Sequence, residues 1–370
     1  MIYLDSAATT LQKPPAVSSA VSYAIRNFSS PGRGGYPSAM AAADTVFTCR
    51  EEAAALFGAD SPEQVVFTGS ATHGLNIAIR SLVKPGDTVL ISGYEHNAVT
   101  RPLYAIEGVT VKIASSVPFD TRMMFDEFSR QMTEDVSAVI MTHVSNVFGF
   151  VLPLEEIAAL CRRRKKPLIV DASQSAGCLP LSLKGLGAAF LAMPGHKGLY
   201  GPQGTGLLLC GQSGRPLLYG GTGSQSLYQE MPDFLPDRLE AGTHNVCGIA
   251  GLLVGLRFIR DTGEENILRH EQRLTGLLAD GITHIRGTEV FHGEKQTGVL
   301  SFRIKGIDCE ELGELLAHHG IAARAGLHCA PAAHRSAGTL ETGTVRVSVS
   351  AFSREEEMLY FLKKLEQLTT

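Results

Sequence analysis

Short apolar runs alternate with amphipathic stretches through the first two thirds of the chain. The runs at 64–67, 88–92, 109–113, 138–142, 168–170, 188–193 and 206–209 have strand length and little internal polarity, as buried strands do. Segments at 72–82, just after Asn97, at 125–132 and at 154–164 carry apolar residues at helical spacing. Two helices are predicted earlier, one from Pro14-Pro15 to about Phe28 and an alanine-rich one to Phe57 with Ser38 as its N-cap. The basic run RRRKK closes the 154–164 helix, where cations suit the helix dipole and face solvent. Strands alternating with helices predict an α/β fold with a mostly parallel sheet.

The order changes after a helix at 247–261. Helices at 266–278, Cys309–His318 and 355–366 mix with strands at 298–302, 322–324 and Thr344–Ser348, as in a smaller α+β unit. The expected division is a large α/β domain over residues 16–257 and a small domain of residues 258–370 together with 1–15. Ligands of a parallel sheet gather beyond the carboxyl ends of its strands. Thr72, His96, Asn146, Asp171, Gln174 and Lys197 all follow strands, so the pattern gathers them on one rim.

The residue types on that rim suggest chemistry. Lys197 lies in a Gly- and Pro-rich loop between two core strands. Taken alone, a loop lysine is a surface residue. Burial would instead lower its pKa and free the neutral amine to form a Schiff base with a carbonyl cofactor. The turn Thr68-Gly69-Ser70-Ala71-Thr72-His73-Gly74 joins a strand to a helix, an arrangement that offers backbone N–H groups to a phosphate. Asp171 could hold a protonated ring nitrogen or cap the next helix. His96 could stack on a flat ring or satisfy a turn. Cys329 sits in a Gly/Pro/Ala loop beside His328 and near Arg324, a setting for a reactive thiolate, whereas Cys161 and Cys210 read as buried and inert. Arg346, within the half-buried strand TVRVS, needs an anionic partner, and a bidentate carboxylate fits its fork; the alternatives are an intramolecular salt bridge or an outward-facing rim position.

Composition narrows the classes. The chain has 370 residues, 44% apolar and 19% charged, enough for a sizeable core. A net charge of −4 gives no basic footprint for nucleic acid. Seven scattered cysteines without a C-x-x-C pair argue against a disulfide scaffold and for a reducing, cytoplasmic setting. No signal peptide is read at the N-terminus, and residues 248–259, which include Arg257, are too short to span a bilayer. No H-x-x-x-H or H-E-x-x-H pattern occurs, so no metal is expected.

The segments VDASQSAG, GHKGLYGPQG, EAGTHN and RAGLHCA occur in this order between LDSAATT and TVRVSVSAF. With them the chain resembles the pyridoxal-phosphate enzymes of aminotransferase class V. Within these it looks most like the cysteine desulfurases of the Suf-type, or selenocysteine-lyase-like, branch. The resemblance implies the fold type I architecture, with a seven-stranded sheet, and pyridoxal 5'-phosphate as cofactor. It implies that Lys197 binds the cofactor covalently, Asp171 pairs with the pyridine nitrogen, Gln174 contacts the phenolic oxygen and His96 stacks on the ring. Ala71, Thr72 and His196 would bind the phosphate, with Thr243 reaching across a homodimer. Asn146, Arg346 and Arg324 would serve the substrate, L-cysteine, and Cys329 would take its sulfur as a persulfide for an acceptor protein. Alternatives are a selenocysteine lyase, a class V transaminase or epimerase, and a non-catalytic sulfur carrier or metal binder using His328, Cys329 and His334. Three positions depart from the family pattern. Ala71 offers only its backbone, Pro194 stands where a phosphate-binding Ser is common, and Gly32 precedes Arg33 where a His-Arg pair is usual.

Overall fold

A computed structural model describes residues 1–32 and 34–369, so Arg33 lies outside the described residues. In chain order the elements are β1 (Ile2–Tyr3), α1 (Pro15–Asn27), α2 (Pro37–Leu56), β2 (Val65–Thr68), α3 (Ala71–Leu82), β3 (Thr88–Ser92), α4 (Asn97–Tyr104), β4 (Thr110–Ala114), α5 (Thr121–Gln131), β5 (Val136–Thr142), α6 (Leu154–Arg163), β6 (Leu168–Asp171), α7 (Leu183–Leu186), β7 (Phe190–Pro194), β8 (Gly206–Cys210) and α8 (Val246–Thr262). There follow α9 (Glu264–Thr283), β9 (Thr288–Phe291), β10 (Val299–Ile304), α10 (Cys309–His318), β11 (Ile321–Ala322), β12 (Arg324–Gly326), α11 (Pro331–Ser336), β13 (Thr344–Ser348) and α12 (Glu355–Thr369).

Apart from the half-exposed edge strand β4, the apolar runs become strands covered on both faces, which is why they lack alternation. Among the described residues they form a seven-stranded sheet in the order β2-β8-β7-β6-β5-β3-β4. The pairs from β4 through β7 are parallel, and β8 runs against both its neighbours. Leu75 and Ile79 of α3 and Val99 and Leu103 of α4 cover one face. Residues of α2, α6 and α8, among them Val46, Ile157 and Leu256, cover the other. Each such buried side chain contributes roughly 1.5–3 kcal/mol.

A second sheet, β12-β13-β10-β9, is antiparallel, and β1 pairs with β11. Leu4, Leu274, Phe302, Val347 and Phe361 make its separate core, so the first residues of the chain pack with the last.

Local expectations differ from the structure at several points. Ser38 does not cap α2. That helix starts at Pro37, whose fixed φ suits a first turn, and Ser38 Oγ instead donates to Ser29 Oγ at 3.2 Å. The strand expected at 322–324 is two strands, β11 and β12. The short elements α7, β9 and α11 gave no clear periodic signal because each spans only one or two turns or pleats. The exposed basic run also satisfies carbonyls. Arg164 Nη1 donates to Met132 O at 2.6 Å, and Lys166 Nζ donates to Glu134 O at 2.8 Å.

Candidate active site

A reversal of strand order opens the site. The chain steps from β3 outward to β4, then returns to the other flank of β3 as β5 and continues through β6 to β7. Loops leaving β3 and β5 therefore diverge at the carboxyl ends and leave a crevice. A cavity of about 240 Å³ lies there, lined by Ala71, Thr72, His96, Asn146, Asp171 and Lys197.

Each side chain on the sheet rim is held by its own element. Asp171 ends β6 and is 2% exposed. Its Oδ1 accepts from Ser173 N at 2.9 Å and from the Ser173 hydroxyl, while Oδ2 has no partner among the described residues. A buried carboxylate oxygen left open asks for an N–H or a cation in the cavity. Lys197 follows β7 and is half-buried. Burial pushes its pKa down to about 8 against the pull of Asp171, so part of the amine is neutral near pH 7. Its loop needs glycine at close approaches: a Cβ on Gly195 would meet Thr205 Oγ1 at 2.0 Å, and one on Gly198 would meet Ala176 O at 2.3 Å. The Thr10 hydroxyl lies 3.1 and 3.2 Å from the backbone oxygens of His196 and Lys197 and pins the loop.

His96 is the N-cap of α4. Its Nδ1 accepts from Ala98 N at 3.0 Å, which fixes the tautomer with hydrogen on Nε2. Burial lowers its pKa against the opposing pull of Asp171, and Lys197 lowers it as well. At the start of α3, Ser70 Oγ takes His73 N at 3.2 Å, and the amides of Ala71 and Thr72 remain without partners among the described residues. These free amides, the Thr72 hydroxyl and the dipole of a 12-residue helix make an anion seat. His196 borders it, with its pKa pushed down to about 4 by burial, Lys197 and Lys13, and with Nδ1 3.1 Å from Thr9 Oγ1. Pro194 lines the same end and brings no donor. Gln174 is tied by Nε2 to Ala7 O at 2.9 Å.

The facing wall comes from the second sheet. Arg346 on β13 donates from Nη1 to Asn146 O at 2.9 Å and from Nη2 to Asp5 Oδ1 at 2.8 Å. Arg324 on β12 donates to Asp5 Oδ2 at 2.8 Å and lies within electrostatic reach of Cys329. Cys329 is exposed, and both it and His328 adopt left-handed backbone, φ 56° and 49°. Non-glycine residues enter that region at a cost and need external support. Here Asn97 N donates to Cys329 O, and Asn146 Nδ2 to His328 O, both at 2.8 Å. The cysteine loop is thus fastened to the residues beside His96 and to Asn146 itself.

The model of the family described as Aminotransferase class-V matches residues 2–361. The chain is 31% identical to a probable cysteine desulfurase of Methanothermobacter thermautotrophicus, over 99% of this chain and 94% of that one. Its fold superposes on the apo cysteine desulfurase of Thermococcus onnurineus NA1 with a TM-score of 0.91 and 28% identity, over 100% and 94% of the two chains. The cysteine desulfurase CsdA of Escherichia coli, in its S-sulfonic acid form, gives 0.89 and 26% over 100% and 95%. This chain belongs to the aminotransferase class-V family. It has that family's fold type I architecture, an α/β chain around a mostly parallel seven-stranded sheet.

Within this class-V site the structure gathers Ala71, Thr72, His96, Asn146, Asp171, Gln174, His196 and Lys197 around the cavity. Arg346, Arg324 and Cys329 lie on the second-sheet side and do not line the cavity themselves; both arginines are within electrostatic reach of Lys197. Thr243 is apart: it is exposed, on the loop before α8, and does not line the cavity. That loop is anchored by Glu240, which receives Arg50 Nη1 at 2.7 Å, Phe67 N at 2.5 Å and His244 Nε2 at 2.8 Å. Sequence reasoning missed this network, and it missed Asp5 and Glu95. Glu95 is fully buried, and burial raises its pKa to about 8 although Oε1 accepts from Ser92 and from Thr142 N. Its place in the Tyr94-Glu95-His96-Asn97 turn, at a strand end, was the available signal. Among the described residues no group of three or more His, Cys, Asp or Glu side chains is placed to hold a metal ion. No helix among them is long and apolar enough to cross a membrane.

Proposed function

We propose that this protein is a pyridoxal-phosphate-dependent cysteine desulfurase that converts L-cysteine to L-alanine and carries the sulfur as a persulfide on Cys329. The observation that carries the reading is the pairing of two features. One is a cavity with a part-neutral lysine and, on the buried Asp171, a carboxylate oxygen open to it; the other is an exposed cysteine on a loop fastened to Asn146, which lines that cavity, and to Asn97 beside His96.

The residues fit the cofactor. Asp171 Oδ2 suits a ring N–H, the free amides of α3 suit a phosphate, and Lys197 supplies the amine for covalent attachment. Bound pyridoxal phosphate supplies an electron sink for bonds broken at an amino acid's α-carbon. Asp171 keeps the ring nitrogen protonated. His96, fixed by α4, offers its ring face and the Nε2 hydrogen. Lys197, with its lowered pKa, removes and returns the proton at the α-carbon. Arg346 and Asn146 hold the substrate carboxylate. The Cys329 thiolate attacks the substrate sulfur. The bond from that sulfur to carbon breaks, its electron pair returns to carbon, and a proton completes alanine while the sulfur stays on Cys329.

The full enzyme in this reading is a cytoplasmic homodimer that hands sulfur to an acceptor protein. Support for the dimer lies in Thr243, exposed away from its own cavity, and in apolar residues left in solvent, such as Ile25 at 67% and Leu227 at 83%. All seven cysteines are free, which suits a reducing compartment. Residues 16–257 are proposed as the cofactor domain and residues 258–370 with 1–15 as the domain carrying the cysteine loop. Peptide mapping by mass spectrometry after brief exposure to L-cysteine tests the reading. One extra sulfur atom is expected on the Cys329 peptide. Its appearance on another cysteine, with Cys329 unmodified, removes the assigned role.

A further inference from the structure

Arg324 and Arg346 stand directly opposite each other in the antiparallel pair of β12 and β13. Like charges in that position repel, and Arg346 is 2% exposed, where an unpaired cation is most costly. Asp5, 9% exposed and placed by its bridge to Ser348, divides its carboxylate between them. Oδ1 binds Arg346 Nη2 and Oδ2 binds Arg324 Nη2, each at 2.8 Å. One carboxylate thus faces two guanidinium groups, leaving one positive charge over. Unused capacity also remains on Arg346 itself, whose buried Nε has no partner among the described residues.

We infer that Asp5 sets substrate specificity by charge count: it leaves the Arg324–Arg346 pair with room for one further carboxylate, so the site takes amino acids with a single carboxylate and disfavours those whose side chain carries another. The inference rests on the proposed reading of Arg346 as the anchor of the substrate carboxylate. Asp5 is a resident carboxylate that a second substrate carboxylate would have to meet. Burial makes the count matter at Arg346 and Asp5, whose surroundings are poorly screened, whereas the Arg324 side chain is half-exposed and its charge is partly screened by solvent.

The test is calorimetric binding of L-alanine, with one carboxylate, and L-aspartate, with two, to the cofactor-loaded enzyme and its variants. Wild type and Asp5→Glu should prefer L-alanine. Asp5→Asn, which leaves two positive charges, should shift the ratio of dissociation constants toward L-aspartate by roughly tenfold or more. Arg324→Gln keeps Asp5 and brings the count to zero, so L-alanine should bind roughly tenfold more weakly. The double variant Asp5→Asn/Arg324→Gln restores the single charge and should recover the wild-type preference. An unchanged ratio in Asp5→Asn, a parallel loss of both ligands, or no recovery in the double variant would overturn the charge count. These ratios need no turnover. Failure to form alanine from L-cysteine would contradict the assigned reaction, whereas an unchanged ratio contradicts the role of Asp5 alone.

Discussion

The two walls of the crevice are built on opposite plans. On the sheet rim Asp171, His96 and Ser70 rest on near neighbours in sequence, Ser173, Ala98 and His73, and leave part of themselves open, while Gln174 and His196 lean on the distant Ala7 and Thr9. On the facing wall the charged groups spend themselves on one another across most of the chain, Arg346 reaching Asp5 over 341 positions. The rim is preorganised by local turns and waits for a ligand. The facing wall is held by long-range ion pairs and strained backbone, so it depends on the whole fold being in place.

Changes on each wall should therefore fail differently. Lys197→Ala removes the amine placed for covalent attachment. Turnover should fall by at least roughly 10²–10⁴-fold, and cofactor should wash out on gel filtration as its absorbance is followed. Retained covalent cofactor would remove Lys197 from its role. Glu240→Gln strikes the support of the Thr243 loop, since it leaves the Arg50 cation buried without its partner, the two side chains being only 9% and 3% exposed. Urea unfolding should show a loss of about 3–5 kcal/mol.

Acid should loosen the facing wall. His334, buried with its Nε2 unpartnered among the described residues, has its pKa lowered to about 4 by burial, and His328 is lowered to about 2 by burial and Arg346. Unfolded histidine titrates near 6.5, so below about that pH the unfolded chain takes up protons that the folded state refuses. Stability is therefore complete above about 6.5 and falls as pH drops toward about 4, where His334 itself titrates. His334→Asn should flatten this slope in thermal unfolding measured across that range. The smallest effect concerns the rim. The rate at which apo protein takes up pyridoxal phosphate should rise with pH and level off above about 8, where the Lys197 amine becomes neutral. A rate still climbing well above that pH would point to an ordinary exposed lysine.

The contrast also explains what the sequence disclosed. The rim was legible because parallel strands bring their carboxyl ends together, so residues such as His96, Asp171 and Lys197 could be located by following strands. Arg346 was legible as an arginine in a half-buried strand that needed an anion. Its resident partner was not, because Asp5 lies in a small-residue loop at the other end of the chain with no local signal of an ion pair. Glu240 was hidden in the same way, as its partner Arg50 lies 190 positions earlier. Ser38 misled because a serine at a helix start reads as a cap, while Pro37 had already begun the helix. Contacts within a few residues leave a pattern in sequence; those made by folding distant segments together do not.

The most direct measurement mixes the purified, cofactor-loaded enzyme with L-cysteine and a reductant and assays alanine and sulfide together, for the wild type and for Cys329→Ser. The account predicts alanine and sulfide in equal amounts from the wild type, and loss of both in the variant while its cofactor absorbance is kept. Cofactor absorbance with no alanine from the wild type, or full turnover in Cys329→Ser, would contradict it.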